Sequence, residues 1–518
     1  MNNPPSLAIL ALGLAVAAFP IYVIYQRYFH PLAGYPGPFW ASLTDLWQVR
    51  QYFSLKQPYN LTELHEKYGE FVRYGPDKLS ITAEEVVPLV YQKGGRRMPK
   101  TEFYDAFGGK TANIFGMRSV DLHSIRRRHM SHSFSITSVK GMEQYLDANI
   151  RILRSIISNH ARSGQIFDLK KLLHHYTIDV LGELAFSRTF GVQTSDDALV
   201  PRVVPHTLLG SVTGAWPAMT QTLRGWLPVI PHSGLQDLFK GRAECVKLAS
   251  ECVERRLKEV KEEKAEERRK DILTSLILAK HPDTGENIAK IDLEAEAFGF
   301  IIAGTHTTSA TATMLFYNLL HNPEILEKCV LEIDEKLPSL GPDKAAYSVT
   351  EAENSLPYLR AVVKENFRFT PIFSMPLERR VTDPEGIIVA GRHIKQGTSV
   401  AVCNHAFHHN PRVWGDKHNV FDPSRWDVKE TADRARYLMH FGLGGRQCLG
   451  KTVAQTNIYK LTSTLLREFA FQIADETERE EAARGGFRGK VPEMISVGVS
   501  DLQGPLMVTA SFREDSEK

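Results

Sequence analysis

The chain has 518 residues, 43% hydrophobic and 24% charged, with a formal net charge of +3. That is a globular composition, long enough for a large buried core. The near-balanced charge, without a basic stripe or reader motif, excludes a nucleic-acid binder. Five scattered cysteines exclude a disulfide framework and fit a reducing compartment.

From Leu7 to Ile24 no charged side chain interrupts the chain, and a helix of about 18–20 apolar residues is long enough to cross a bilayer. Tyr22, Tyr25, Arg27 and Tyr28 follow, as aromatic and basic anchors do at a headgroup layer. We read residues 1–29 as a retained transmembrane anchor, with cleavage of a signal peptide near Ala17-Ala18 as the alternative. Arg27, Arg50 and Lys56 keep the following side cytosolic. Asn60-Leu61-Thr62 then stays unglycosylated although it matches the acceptor pattern. The prolines of His30–Pro38 stop any helix, so residues 30–45 read as a stiff proline-rich hinge. Residues 46–518 follow as one large domain, with no internal repeat and no long linker.

Val72–Pro76 and Leu79–Thr82 predict a hairpin. Met142–Leu184 has apolar residues at helical spacing. Residues 202–240 lack a firm period and read as a mobile apolar cap or a helix pair. The mixed charges of 253–270 predict a solvated helix or loop. Cys245 and Cys252 share a helix face, where packing is their expected role. Glu296–Leu320 is a long apolar helix interrupted at Ala303–Ser309 by small and hydroxylic residues. Residues 386–402 predict short strands with a turn at Gln396-Gly397.

The strongest signal is Phe441-Gly442-Leu443-Gly444-Gly445-Arg446-Gln447-Cys448-Leu449-Gly450. Its glycines permit a tight loop, and a helix starting after Cys448 would aim backbone N–H groups at the sulfur. A thiolate is the form that ligates metal, and an electron-rich axial thiolate on iron favours O–O cleavage. Phe441 would shield the sulfur from water. This loop resembles that of the cytochrome P450 family, FxxGxRxCxG, and matches at every fixed position.

The resemblance implies a mainly α fold with small β-sheets, a haem b cofactor (iron protoporphyrin IX) and Cys448 as its axial ligand. Arg446 then meets a haem propionate, with Gly442 and Gly450 shaping the loop. Ala303-Gly304-Thr305-His306-Thr307-Thr308 resembles the family's oxygen-activating motif A-G-x-D/E-T-T. Ala303 and Gly304 would leave room for haem and dioxygen, and Thr307 would hold a water in the proton route. His306 departs from the pattern, which has a carboxylate there; histidine also relays protons near neutrality. Glu365 and Arg368, with Arg425 of Pro423-Ser424-Arg425-Trp426, resemble the family's structural Glu–Arg–Arg network. His123 and Arg127 match the third-helix motif WxxxR, with His123 in place of tryptophan. Arg379 or Arg380 is a further propionate candidate, with a basic surface turn as the alternative.

Three stretches are candidate pocket walls: Phe103, Phe107 and Phe115; Phe298, Gly299 and Ile302; Ile372, Phe373 and Met375. Being mostly apolar, they imply a hydrophobic substrate. No second cofactor domain fits, so electrons must come from outside. The resemblance implies an NADPH-cytochrome P450 reductase, with cytochrome b5 as a second donor, docking near Arg434, Arg436 and Lys451. It further implies an endoplasmic reticulum membrane protein whose catalytic domain faces the cytosol. The expected activity is insertion of one oxygen atom from O2 into a terpenoid or polyketide-type intermediate, since the leader and the His306 motif are similar to fungal secondary-metabolism members. A non-oxygenating haem-thiolate enzyme (dehydration, rearrangement or oxidative coupling) and a non-catalytic haem-binding protein are the alternatives.

Overall fold

A computed structural model describes residues 7–92, 98–109, 111–195, 200–223, 225–264, 266, 268–281, 284–341 and 343–513. The helix Lys290–Leu320 runs through the middle of the body and is buried on most of its circumference, as a helix apolar nearly all round must be. It packs against the helices Leu169–Phe186 and Ser233–Glu262. The helical pattern of 142–184 is split in two. Glu143–Ser163 ends where Gly164 takes a left-handed conformation (φ 67°), and Phe167-Asp168 forms a short strand before the next helix.

The segment 202–240 is mostly ordered helix: Val203–Ala215, Pro217–Leu223, and then Ser233–Glu262, whose first turn is capped by the ring of His232. The charged stretch after Val253 is less solvated than its composition suggests. Arg256 is buried and pairs with buried Asp271 at 2.8 Å and with Glu259 at 3.0 Å. Charges spaced on one helix face can be sealed by a following loop, and composition does not reveal that. Cys245 and Cys252 are both buried in the same apolar cluster.

Among the described residues four small sheets flank the helices. β1 (Phe71–Gly75) and β2 (Lys78–Ile81) form the expected hairpin. β7 (Ser399–Ala401) adds parallel to β2, and β4 (Arg379–Arg380) adds antiparallel to β7, joining early and late parts of the chain. β3 (Phe167–Asp168) and β8 (Phe469–Ile473) both pair with β11 (Met507–Phe512). β5 (Ile387–Val389) pairs with β6 (Arg392–Ile394), and β9 (Met494–Ser496) with β10 (Ser500–Leu502).

The leader Leu7–Ile24 is one helix of 18 residues. Its side chains are described at Gly13 and from Val16 on, and among the described residues no helix is long and apolar enough to cross a membrane. Past the leader the chain is fastened to the body. Arg73 on β1, 1% exposed, donates to the Gln26 carbonyl at 2.8 Å, to Gln26 Oε1 at 2.6 Å and to the Pro76 carbonyl at 2.6 Å. These acceptors are neutral, and burial together with nearby Arg27 brings the guanidinium down to about 10. Leu32 and Tyr35 are buried in the same cluster as β1 and β2. Residues 30–45 are therefore packed against the domain rather than standing off it.

Candidate functional site

The cysteine loop is held by its own backbone. Gly442 and Gly444 take positive φ (63° and 64°), which an L side chain adopts only with strain. A Cβ at Gly444 would also come within 2.2 Å of the Tyr91 carbonyl oxygen. Gly450 caps the helix Lys451–Glu468, so first-turn N–H groups point back at Cys448. Burial raises the Cys448 thiol, while N–H donors from Gly450 and Lys451 and the charges of Arg127 and Lys451 pull the other way. Cys448 is nevertheless accessible to solvent. A side chain deep enough for burial to raise its pKa yet reachable by water lines an internal hollow. Phe441 lies beside it, half-buried, edge-on to Phe367 at 5.2 Å.

Two arginines staple the helix Val120–Ser131 to this loop. Arg446 donates to the carbonyls of Met117 at 2.8 Å and Arg118 at 3.0 Å. Arg127 donates to the Gln447 carbonyl at 2.6 Å. The choice between neighbouring arginines at 379 and 380 is made by their partners. Arg380 pairs with Asp77 at 2.6 Å and Glu102 at 2.7 Å, whereas Arg379 is buried and donates to Tyr104 Oη at 2.6 Å. Among the described residues Lys100, Arg127, Arg379 and Arg446 have no carboxylate partner. Lys100, which sequence reasoning missed, lies over the rings of Tyr104 and Phe115 at 4.6 and 5.1 Å. It is pushed well down by burial and then by Arg379 and Arg446. Burial and the same cations bring His123 to about 3, and burial with Arg379 brings Arg446 to about 10. Such a crowd of uncompensated cations calls for an anion carrying more than one negative charge. A thiol facing a hollow rimmed by those cations fits a haem, with iron at the sulfur and two carboxylates at the rim.

Behind the loop, Glu365 is fully buried between two arginines. Arg368 reaches it at 2.6 Å and Arg425 at 3.0 Å. The remaining guanidinium donors are spent on the carbonyls of His408, His418, Val420 and Lys417. Every charge in this knot is satisfied, which is the condition for a buried ion network to hold.

Opposite lies the helix Lys290–Leu320. Ala303 is exposed in mid-helix between buried Ile301 and Thr305, so it too faces a hollow. Thr307 Oγ donates to the Ala303 carbonyl at 2.6 Å, loosening that turn. Gly304 does not share this view. A Cβ there would come within 2.6 Å of Leu181, so its smallness serves the crossing with Leu169–Phe186. The ring of His306 is directed toward Asp501 Oδ2 at 3.3 Å.

The pocket candidates from separate stretches meet through aromatic contacts. Phe103, Phe107, Phe115 and Phe373 follow one another at centroid spacings of 5.3, 5.3 and 6.1 Å. His206 links Phe107 at 6.4 Å to Phe298 at 4.7 Å. His206 was hidden within a stretch without periodicity; burial holds it neutral, at about 3. Gly299 lies against Asn113, and Ile302 is half-buried against the cluster that includes Phe298. Phe103, Phe107, Phe298, Ile372 and Met375 are all buried, while Phe115 and Phe373 are half-buried.

The chain matches the family model Cytochrome P450 over residues 35–493. It is 28% identical to benzoate 4-monooxygenase of Aspergillus niger over 95% of this chain and 97% of that protein. It is 28% identical to cytochrome P450 monooxygenase BOT1 of Botryotinia fuckeliana over 92% and 93%. With cytochrome P450 monooxygenase cicH of Emericella nidulans it shares 30% identity over 90% and 93%.

Proposed function

The chain belongs to the cytochrome P450 family and is an oxidoreductase, and from that premise we propose a membrane-anchored monooxygenase that holds haem b through Cys448. The observation that carries the reading is Cys448 itself, in a loop closed by backbone bonds, facing a hollow ringed by cations that have no carboxylate partner among the described residues. Bound haem iron supplies the oxygen chemistry, in which a substrate C–H bond, O2, two electrons and two protons give an alcohol and water.

The residues of the chain do the rest. The N–H groups of Gly450 and Lys451 steady the negative sulfur, and Phe441 keeps water from it. Lys100, Arg127, Arg379 and Arg446 neutralise the two carboxylates, with His123 beside them as a neutral ring. Ala303 leaves space at the reacting face, and the Thr307 hydroxyl orients a water there. The chain of phenylalanines from Phe107 to Phe373, with His206 and Phe298, excludes water and positions an apolar substrate. A terpenoid or polyketide-type scaffold of fungal secondary metabolism suits such walls. Electrons come from an NADPH-dependent reductase docking on the Cys448 side. Leu7–Ile24, free of charge and followed by Tyr25, Arg27 and Tyr28, supports an anchor in the endoplasmic reticulum membrane with the domain on the cytosolic face.

The test is the ferrous–CO spectrum of the purified full chain. The red-shifted band of thiolate ligation is expected, and its absence overturns the reading. Turnover under ¹⁸O2 then separates oxygenation from dehydration, rearrangement or coupling. Unlabelled product would move the activity to the second class.

A further inference from the structure

The neighbourhood of His306 is a cluster of titratable groups that the site described above does not use. Its Nε2 faces Asp501 Oδ2 at 3.3 Å, and the same oxygen faces Lys170 Nζ at 3.1 Å. Side-chain exposure falls along this series from 23% at Lys170 through 15% at Asp501 to 7% at His306. The three groups therefore lead from solvent into the central helix. His174 lies on the same side, its Nδ1 3.2 Å from Ser309 Oγ. Lys170 and His175 from the helix Leu169–Phe186 and Asp501 from β10 act on His174 together with His306, and His306 and Lys170 act on Asp501.

The direction of the hydrogen bond follows from Asp501. Burial alone would raise its carboxyl, but the hydrogen bond and positive charge of His306, and then Lys170, hold it below the ordinary value. A carboxylate accepts, so the hydrogen of His306 sits on Nε2. Nδ1, an acceptor in the neutral ring and a donor in the imidazolium, is buried without a partner among the described residues. A bare ring nitrogen inside a protein calls for a hydrogen-bond partner, most simply a water. A ring with one nitrogen held by a carboxylate and the other open is arranged to pass protons rather than merely to brace a hairpin.

We propose that Lys170, Asp501 and His306 form the proton entry to the turn Ala303–Thr307, with Asp501 supplying from β10 the carboxylate that the A-G-x-D/E-T-T pattern carries on the helix. Only protons move. As imidazolium beside the Asp501 carboxylate, His306 gives its Nδ1 proton to a water next to Thr307 and is left neutral with its hydrogen on Nε2. A half-turn of the ring then brings the bare Nδ1 to the Asp501 side, where a proton from bulk solvent entering past Lys170 restores the imidazolium. Asp501 acts through His306 and is a positioning residue. The inference rests on the monooxygenase reading, and it can fail while that reading stands.

The experiment uses the full chain with saturating reductase, NADPH and O2 and no added substrate, in H2O and D2O across pH 6–9. Asp501→Asn is expected to keep the ferrous–CO band while oxygen consumption slows on the order of 100-fold, with a larger solvent isotope effect and an altered pH profile. Asp501→Glu should recover most of the rate. Separately, ¹⁵N-histidine NMR of the resting protein should show Nε2–H at His306 in the wild type and a changed tautomer balance in Asp501→Asn. Unchanged rate, isotope effect and pH profile overturn the relay. So does an unaltered ring signal. Loss of the CO band in Asp501→Asn assigns the contact to the fold and overturns it as well, while absence of that band from the wild type fails the underlying reading instead.

Discussion

Cys448 donates its backbone N–H to the carbonyl oxygen of Phe441 at 2.8 Å, closing the loop. The position of the sulfur is set by main chain, and Phe441 adds packing. Phe441→Ala removes a ring lying against Phe367 at 5.2 Å and His440 at 4.5 Å. For a half-buried ring the expected loss is about 1–3 kcal/mol. A lower thermal midpoint and faster haem loss, with the CO band retained, are the outcome to look for. Conversion to a non-thiolate spectrum would contradict the main-chain argument.

Removing Glu365 leaves two buried guanidinium groups facing each other. Glu365→Ala should cost about 3–5 kcal/mol and yield protein with little haem. The check is the ratio of haem to protein together with thermal melting. Full haem occupancy with a wild-type midpoint would deny the network its scaffold role.

The sequence displayed some of this plainly. The cysteine loop is local, because its spacing and its glycines lie within ten consecutive residues, and the Glu365–Arg368 pair shares one helix face. The hairpin β1–β2 was legible from alternation and a turn. Partners that meet only through tertiary packing were not. Lys100 looks like any surface lysine until Arg379 and Arg446 stand beside it. His206 sits in a helix whose buried face wraps too far round for periodicity to mark. Gly304 and Ala303 look alike as small residues, yet helix rotation sends one toward Leu181 and the other toward the hollow. His306 carries no sign of Asp501, which follows it by most of the remaining chain.

Lys100→Met separates the haem-free from the haem-bound protein. Lys100 is fully desolvated among like charges, so a neutral side chain of similar length should stabilise the haem-free form. The same change would remove the bond proposed between Lys100 and a haem carboxylate, worth about 1.5 kcal/mol or more, so haem should leave roughly tenfold faster. Transfer of haem to a scavenging apoprotein measures the second effect. Equal rates would remove Lys100 from the rim.

Glu296 predicts a pH dependence of stability. It is buried, accepts from Arg126 at 2.9 Å and from the Ile114 N–H at 3.1 Å, and burial raises it to about 7 despite Arg126. A carboxyl with a raised folded pKa adds stability in full below its unfolded value, and that stability fades as pH climbs through the folded value. The window is therefore about pH 4.5 to 7, with a contribution on the order of 3 kcal/mol. Glu296→Gln should flatten the thermal midpoint across that window. A slope equal to the wild type would place the titration elsewhere.

The clasp on Arg73 dictates where the chain can be shortened. Deleting everything before Pro31 would strip away Gln26 and His30, leaving a guanidinium sealed in the body with three of its five acceptors gone. Such a trimmed protein should aggregate on expression even though every catalytic group is present. A cut just ahead of Tyr22 keeps the acceptors and the Tyr22–Leu43 bond at 2.8 Å, and is the better starting point for a detergent-free preparation.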